Sequence, residues 1–107
     1  MISGYYILDD EKNIVPCDDF LKISKFIGMS VGRNSHNGIE VSTVFLSLEH
    51  GVDENGRPIL FESMVFGGSH DGMQIRYCSW KDAEDGHASL LWVLTEDRMK
   101  KLDELGI

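Results

Sequence analysis

Two apolar segments flank an acidic, glycine-containing stretch in the middle of the chain. VSTVFLSL and ILFESMVF partly alternate apolar and polar residues, and Asn55-Gly56 lies between them. Asn-Gly is a strong hairpin signal because both residues readily adopt positive φ angles. The pattern therefore predicts a hairpin of two strands, at about 39–50 and 58–67.

The register of this hairpin follows from its turn. If Asn55-Gly56 is a two-residue turn, Glu49 lies opposite Glu62, and Phe45 lies opposite Phe66. Since like charges directly opposed across two strands are destabilising, this register predicts a nearby cation, for which Arg76 is the candidate. A shifted register is the alternative, and it would separate the two glutamates on a solvated face.

The same register divides the side chains of the hairpin between two faces. One is the predicted core face, beneath the helices, and carries Val44, Leu46, Leu48, Phe61 and Val65. The opposite, mixed face carries Thr43, Phe45, Ser47, Glu49, Glu62, Met64 and Phe66.

The first forty residues predict a short hairpin, a helix and a loop. Strands at 3–8 and 13–17 flank the polar turn DDEKN. Asp18 is the predicted N-cap of a helix that ends at Gly28, and the spacing of its apolar residues places Phe20, Ile23 and Ile27 on one face. The following segment, SVGRNSHNG, is rich in Gly, Asn and Ser, so we predict a loop.

The last third of the chain predicts one strand and one or two helices. MQIRYCS is the strand, and Ser79 with Asp82 has the spacing of a capping box at a helix start. Ala83, His87, Leu91 and Leu94 recur at helical spacing, although SLLWVL is also compatible with a buried strand. A break near 94–95 and a final helix at 96–105 complete the pattern.

These elements predict a single α+β domain over residues 1–107. Its antiparallel sheet would have about four to five strands, with two to three helices packed mainly on one face. His87 would lie on the apolar helix face, as a core histidine bonded to one carbonyl or hydroxyl group. Trp80 would anchor the core, or alternatively form an exposed platform with Tyr77.

Composition narrows the classes of function. The 107 residues include ten basic and eighteen acidic side chains, which gives a net charge of -8. We therefore expect no direct nucleic-acid binding, because neutralising phosphates requires a basic surface. The chain shows neither a signal peptide nor an apolar run of membrane-spanning length, and Cys17 and Cys78 lack CxxC spacing. A cytoplasmic location with reduced cysteines is expected.

Three segments, VSTVFLSLEH, PILFESMVFGG and RYCSWKDAEDGHA, resemble a family of small proteins encoded by bacteriophages and prophages. The resemblance covers about residues 40 to 88, with Glu49 where the family pattern has Asp. It implies a phage or prophage context and no particular chemistry. In that context, accessory proteins of this size often modulate the host, including its antiviral defences.

The candidate site predicted from the sequence lies on the mixed face of the hairpin and in its flanking loops. Its residues are Thr43, Glu49, Glu62, Arg76 and Tyr77, with His50 and His70 at the rim. No histidine pair has a metal-ligand spacing, and no serine lies in a GxSxG motif, so we expect no metal, no cofactor and no nucleophilic catalysis.

The predicted function is non-enzymatic binding of a host protein or a small anionic, nucleotide-like ligand, with a homo-oligomer as a possible assembly. One alternative is a small hydrolase that uses Glu49 and Glu62 as acid and base. Another is a minor virion or assembly component.

Overall fold

The computed structural model describes residues 4–94 and 105–106, and it contains six strands and two helices in that part of the chain. In chain order they are β1 (Tyr6–Leu8), β2 (Ile14–Pro16), α1 (Phe20–Phe26), β3 (Ser30–His36), β4 (Ile39–Phe45), β5 (Phe61–Phe66), β6 (Gln74–Tyr77) and α2 (Trp80–Leu94). β1 and β2 pair with each other, and β3 to β6 form an antiparallel sheet in chain order. The α+β class is confirmed, with the strands divided between two sheets.

Helix α2 begins where its sequence predicts. The hydroxyl of Ser79 accepts a hydrogen bond from the backbone N–H of Asp82 at 3.1 Å, as an N-cap does. Its buried residues are Ala83, His87, Leu90 and Leu94, so α2 packs one stripe against all four strands of the larger sheet. Residues 89–94 are helical, which excludes the alternative of a strand there.

The predicted final helix at 96–105, and the break near 94–95, fall at or beyond the limit of the described residues. In the described part of the chain, no helix combines the length and apolar character needed to cross a membrane.

The predicted hairpin register is wrong. β4 pairs with β5 so that Thr43 faces Ser63, Val44 faces Glu62 and Phe45 faces Phe61. The helix face of the sheet therefore receives Thr43 and Phe45, which the sequence had suggested for the opposite face, and both are fully buried. Phe61 and Val65 lie on the helix face, as predicted.

A wider turn and a detour between the two strands together cause this shift. Asn55 lacks the positive φ angle of the predicted turn, and Val52 bridges Pro58 rather than Ile59, so the tip itself shifts the register by one residue. Between that bridge and the Phe45–Phe61 pair, however, six residues (46–51) lie on one side and only two (59–60) on the other. The extra residues leave β5, so the turn does not set the register of the main sheet.

The detour segment pairs with β1 instead. The backbone N–H of Tyr6 donates to the carbonyl of Ser47 at 2.8 Å, and the Ser47 hydroxyl donates to the carbonyl of Tyr6 at 2.6 Å. Leu48 bridges Tyr5, and the N–H of Glu49 donates to the carbonyl of Gly4 at 2.7 Å. Residues 46–49 thus join the small sheet to the large one.

The loop predicted at 30–38 is mostly strand β3, and that prediction is wrong. Asn37 and Gly38 have φ angles of 50° and 82°, as the two central residues of a type I′ hairpin turn require. β3 is an edge strand whose side chains are largely exposed, so its composition carries no apolar alternation that would reveal it. The only signal was the Asn-Gly pair itself.

Helix α1 also differs from the prediction in detail. Its N-cap is Asp19 rather than Asp18, and the Asp19 carboxylate accepts from the N–H of Leu21 at 2.9 Å. Ile23 is buried, but Phe20 and Ile27 are 63% and 53% exposed. The helix has seven residues, too short to bury the whole predicted face against β1.

The apolar core has two centres along the helix face of the sheet. The first joins Leu8 with Phe45, Leu60, Phe61 and Ala83, so it lies between both sheets and the start of α2. The second joins Val41 and Val65 to the end of α2. Burying each Phe or Leu side chain contributes about 1.5–3 kcal/mol to the stability of the fold. A row of polar side chains separates the two centres.

Candidate functional site

Five polar side chains form a continuous hydrogen-bonded chain between the larger sheet and α2. Tyr77 on β6 lies 2.9 Å from Ser63 on β5, and Ser63 lies 2.6 Å from Thr43 on β4. The Thr43 hydroxyl lies 2.7 Å from Nδ1 of His87 on α2, and Nε2 of His87 lies 2.8 Å from Oδ1 of Asn34 on β3. Every strand of the sheet thus contributes one member of this polar chain.

The polar chain has one direction of donation. Oδ1 of Asn34 can only accept, so Nε2 of His87 carries the hydrogen and Nδ1 of the neutral ring accepts. Thr43 must then donate to His87, Ser63 donates to Thr43, and Tyr77 donates to Ser63. All polar atoms of the buried hydroxyls are satisfied, as buried groups require.

Burial keeps His87 neutral. Its side chain is only 8% exposed, and this desolvation lowers the pKa of the imidazole below its ordinary value. The prediction of a core histidine bonded to a hydroxyl is confirmed. A neutral imidazole whose Nδ1 accepts a hydrogen bond agrees with the direction of donation along the polar chain.

The order hydroxyl, imidazole and amide also occurs in nucleophilic enzymes. Here, however, Thr43 and Ser63 have no exposed surface. A nucleophile must reach its substrate, so the polar chain as folded supports the packing of α2 on the sheet rather than covalent catalysis.

Two glycines allow α2 to approach the sheet this closely. A Cβ atom on Gly32 of β3 would lie 2.8 Å from Nε2 of His87, and one on Gly86 of α2 would overlap the ring of Tyr77. The phenol of Tyr77 therefore fits beneath the helix only because residue 86 has no side chain. This explains a glycine within a helix, where it otherwise costs about 1 kcal/mol against alanine.

The opposite face of the sheet, here called the open face, carries two ion pairs. Nε of Arg76 lies 3.0 Å from a carboxylate oxygen of Glu62, its cross-strand neighbour. Nε of Arg33 lies 3.1 Å from the carboxylate of Glu40. The predicted pairing of Glu62 with Arg76 is confirmed, although it neutralises one glutamate rather than two.

The structure divides the residues of the sequence-predicted site among several places. Glu62 and Arg76 meet on the open face. Thr43 and Tyr77 lie on the other side of the sheet, joined through Ser63.

The remaining three predicted site residues lie in loops. Glu49 and His50 belong to the detour and the segment after it, where the N–H of His50 donates to the carbonyl of Ile59 at 3.0 Å. His70 lies in the turn between β5 and β6, with Nδ1 3.2 Å from the Ser69 hydroxyl. The seven residues therefore do not form one site.

An apolar groove of about 300 Å³ runs between β6 and α2. Tyr77, one end of the polar chain, forms part of its floor. Ile75 on β6 and Val93 on α2 both line the groove and are 38% and 41% exposed, so two large apolar side chains are accessible at the same concavity. The full lining is His70, Met73, Ile75, Tyr77, Gly86, Ser89, Leu90, Val93 and Leu94.

A second, more polar cavity of about 330 Å³ lies at the start of α2. Nζ of Lys12 lies 5.2 Å from the ring centroid of Trp80, and Arg57 is paired with Asp53 at 2.8 Å. Burial, with Asp53 nearby, raises the pKa of the Cys78 thiol, which therefore stays protonated at neutral pH. Cys17 and Cys78 are both free thiols.

The groove and the polar chain were largely missed from the sequence. His87 was placed correctly, but Asn34 lies in the segment predicted as a loop, and Ser63 drew no prediction of a buried role. One signal was available: Gly86 inside a helical pattern indicates that something packs closely against the helix. Within residues 4–94 and 105–106, no three His, Cys, Asp or Glu side chains are grouped so that they could hold a metal ion.

Comparison of the chain with protein-family models, with curated proteins and with solved structures returned no match.

Proposed function

We propose that this protein is a non-enzymatic binding protein whose partner is another protein, held in the groove between β6 and α2. The groove itself supports this proposal, because it is apolar and is flanked by the exposed side chains of Ile75 and Val93. Apolar side chains left exposed around a concavity are typical of a surface that a partner covers.

Charge favours a protein over the small anionic ligand. On the open face, Arg33 and Arg76 are each already paired with a carboxylate, so neither offers a free positive charge to an anion. The chain as a whole carries a net charge of -8, which repels anions over distances near the Debye length.

The paired glutamates do not favour the hydrolase. Glu62 faces Val44 and Arg76, while Glu49 follows the end of β4 and bonds through its backbone to Gly4. An acid and a base must act on the same substrate, whereas these two glutamates lie on different parts of the fold, Glu62 on the open face of β5 and Glu49 in the detour.

The resemblance to phage and prophage proteins supplies the proposed setting. The partner is then a host protein in the bacterial cytoplasm, and the role is modulation of the host, including counteraction of antiviral defence. This role rests on the resemblance and on the groove together.

Affinity capture from bacterial lysate, followed by calorimetry with the purified partner, tests the proposal. Val93→Asp introduces a charge at the groove, and we expect the affinity for the partner to fall about tenfold or more. The matched control is Leu21→Asp on α1, because Leu21 is also an exposed apolar side chain, at 79%, and lies away from the groove. Circular dichroism verifies that both variants fold.

The proposal is wrong if the Val93→Asp variant binds the captured partner as tightly as the wild-type protein does. Loss of binding only in the Leu21→Asp variant would show that the interface lies on α1 and not at the groove.

A further inference from the structure

We infer that the partner presents an extended peptide segment of net positive charge, which adds to β6 as a fifth strand and carries apolar side chains at alternate positions. This inference rests on the proposed function, and it specifies how the groove is used.

The backbone of β6 has an outward edge along which another strand could pair. Strands in the larger sheet follow the order β3-β4-β5-β6, so within the described part of the chain β6 is paired on one side only. The N–H of Val65 donates to the carbonyl of Met73 at 3.0 Å, which places this carbonyl, and by alternation the backbone groups of Ile75 and Tyr77, toward β5. The N–H and C=O groups of Gln74 and Arg76 therefore point outward.

These outward N–H and C=O groups can pair with the C=O and N–H groups of an added strand. Among residues 4–94 and 105–106, no backbone hydrogen bond from a turn, loop or cap engages Gln74 or Arg76. Four main-chain groups in a row along one exposed edge form a template on which another extended chain can pair, which is the mode of β-augmentation.

A bulge marks the beginning of the edge. Gly72 has a φ angle of 86°, its N–H donates to the carbonyl of Val65 at 2.8 Å, and the N–H of Val65 donates to Met73. Two residues thus oppose one, with a positive-φ glycine first, as in a G1 bulge. The bulge ends the ladder near His70, so β6 presents a short edge from Gln74 to Tyr77.

The groove fixes which side chains of the added strand are apolar. Ile75 and Tyr77 point from β6 toward α2, while Gln74 and Arg76 have the opposite orientation. A strand laid beside β6 would likewise point every second side chain into the groove, against Leu90 and Val93. The intervening side chains would lie on the open-face side.

Charge argues for a basic segment of another protein over a second copy of this chain. The first two turns of α2 carry Asp82, Glu84 and Asp85 against Lys81 alone, and Lys81 is paired with Asp85. Two copies would each bring a net charge of -8 to the contact. An extended segment of net positive charge is attracted by the same field.

The test uses a random library of twelve-residue linear peptides, selected on the full chain. We expect the recovered peptides to have apolar residues at alternate positions and a net positive charge. At saturating peptide, amide hydrogen exchange of Gln74 and Arg76 should slow about tenfold or more, because their N–H groups become hydrogen-bonded. Exchange at Ile75, whose N–H already faces β5, should change much less.

A second measurement separates the inference from the function on which it rests. Peptides that lose affinity in the Val93→Asp variant, but show helical i, i+4 spacing and leave Gln74 and Arg76 unprotected, would overturn strand addition and leave the groove as the binding site. Recovered peptides that bind the Val93→Asp variant as tightly as the wild-type protein would overturn both.

Discussion

Thr43 is the residue on which the polar chain depends most. It is the central hydroxyl, it is fully buried, and it both accepts from Ser63 and donates to His87. Tyr77 and Asn34 lie at the two ends, nearer to solvent. Removing the centre therefore leaves two buried groups without partners, whereas removing an end leaves one.

Thr43→Val keeps the shape of the side chain and removes its hydroxyl. Nδ1 of His87 then has no donor and the Ser63 hydroxyl has no acceptor, so we expect a loss of about 1–3 kcal/mol in the free energy of unfolding. Urea denaturation followed by circular dichroism measures this loss. The control is Ser42→Ala on the open face of the same strand, which should change stability by less than about 0.5 kcal/mol. Equal effects of the two substitutions would show that the polar chain contributes no net stability.

For single residues, the sequence predicted which side chains interact better than it predicted the face of the sheet on which they lie. Arg76 was predicted as the cation beside an opposed Glu49–Glu62 pair; it does pair with Glu62, although Val44 rather than Glu49 lies opposite Glu62. Thr43 was assigned to the wrong face, because one slip in register reverses every side chain of a strand.

At the scale of elements, the contact between α2 and β6 determines how closely helix and sheet pack. The ring of Tyr77 lies against Gly86, and the hydroxyl of the same residue continues to Ser63. Helix propensity and packing make opposite demands at position 86, and the structure shows that packing prevails.

Gly86→Ala tests this conflict. In an exposed helix the change would stabilise by about 1 kcal/mol, but here the added methyl group collides with the Tyr77 ring, so we expect a lower melting temperature. The matched control is Ala88→Gly, at an exposed position of the same helix, which should cost about 1 kcal/mol from propensity alone. If Gly86→Ala raises the melting temperature, Tyr77 does not pack as described. A double variant with Tyr77→Ala should recover part of the loss, since the two positions are in contact.

Elements with a clear period were predictable, and those defined by tertiary context were not. β5, β6 and α2 carry alternation or helical spacing over enough residues to be recognised. β3 has almost no buried side chain, so its strand conformation depends on pairing with β4. The β4–β5 register depends on β1, about forty residues earlier, which no local signal reveals.

For the whole molecule, stability should depend on pH in two separate ranges, one determined by a histidine and the other by two aspartates. The pKa of His87 is lowered by burial, so the unfolded chain binds a proton there that the folded chain resists. Stability is therefore full above the ordinary histidine pKa, near 6.5, and declines as the pH falls below it. Asp9 and Asp53 have pKa values lowered mainly by backbone hydrogen bonds, so their contribution is lost only in more acidic solution, below about pH 4.

Urea midpoints measured between pH 8 and pH 5 check the first window. We expect the midpoint of the wild-type protein to fall as the pH decreases from about 6.5 to 5. His87→Gln retains one acceptor and one donor but does not titrate, so its midpoint should be nearly constant over that range. A wild-type midpoint that stays constant or rises toward pH 5 would contradict a neutral His87 in the folded state.

The detour at 46–49 has a consequence for engineering the chain. Because those residues absorb the mismatch between the Asn55-Gly56 turn and the main sheet, the length of the tip beyond Val52 and Pro58 does not determine which side chains are buried. A peptide tag inserted between Glu54 and Asn55 should therefore leave the sheet intact, whereas deleting one residue from 46–49 would force β4 to slide past β5. The tip is thus the natural place to attach a label that reports on the groove from a distance.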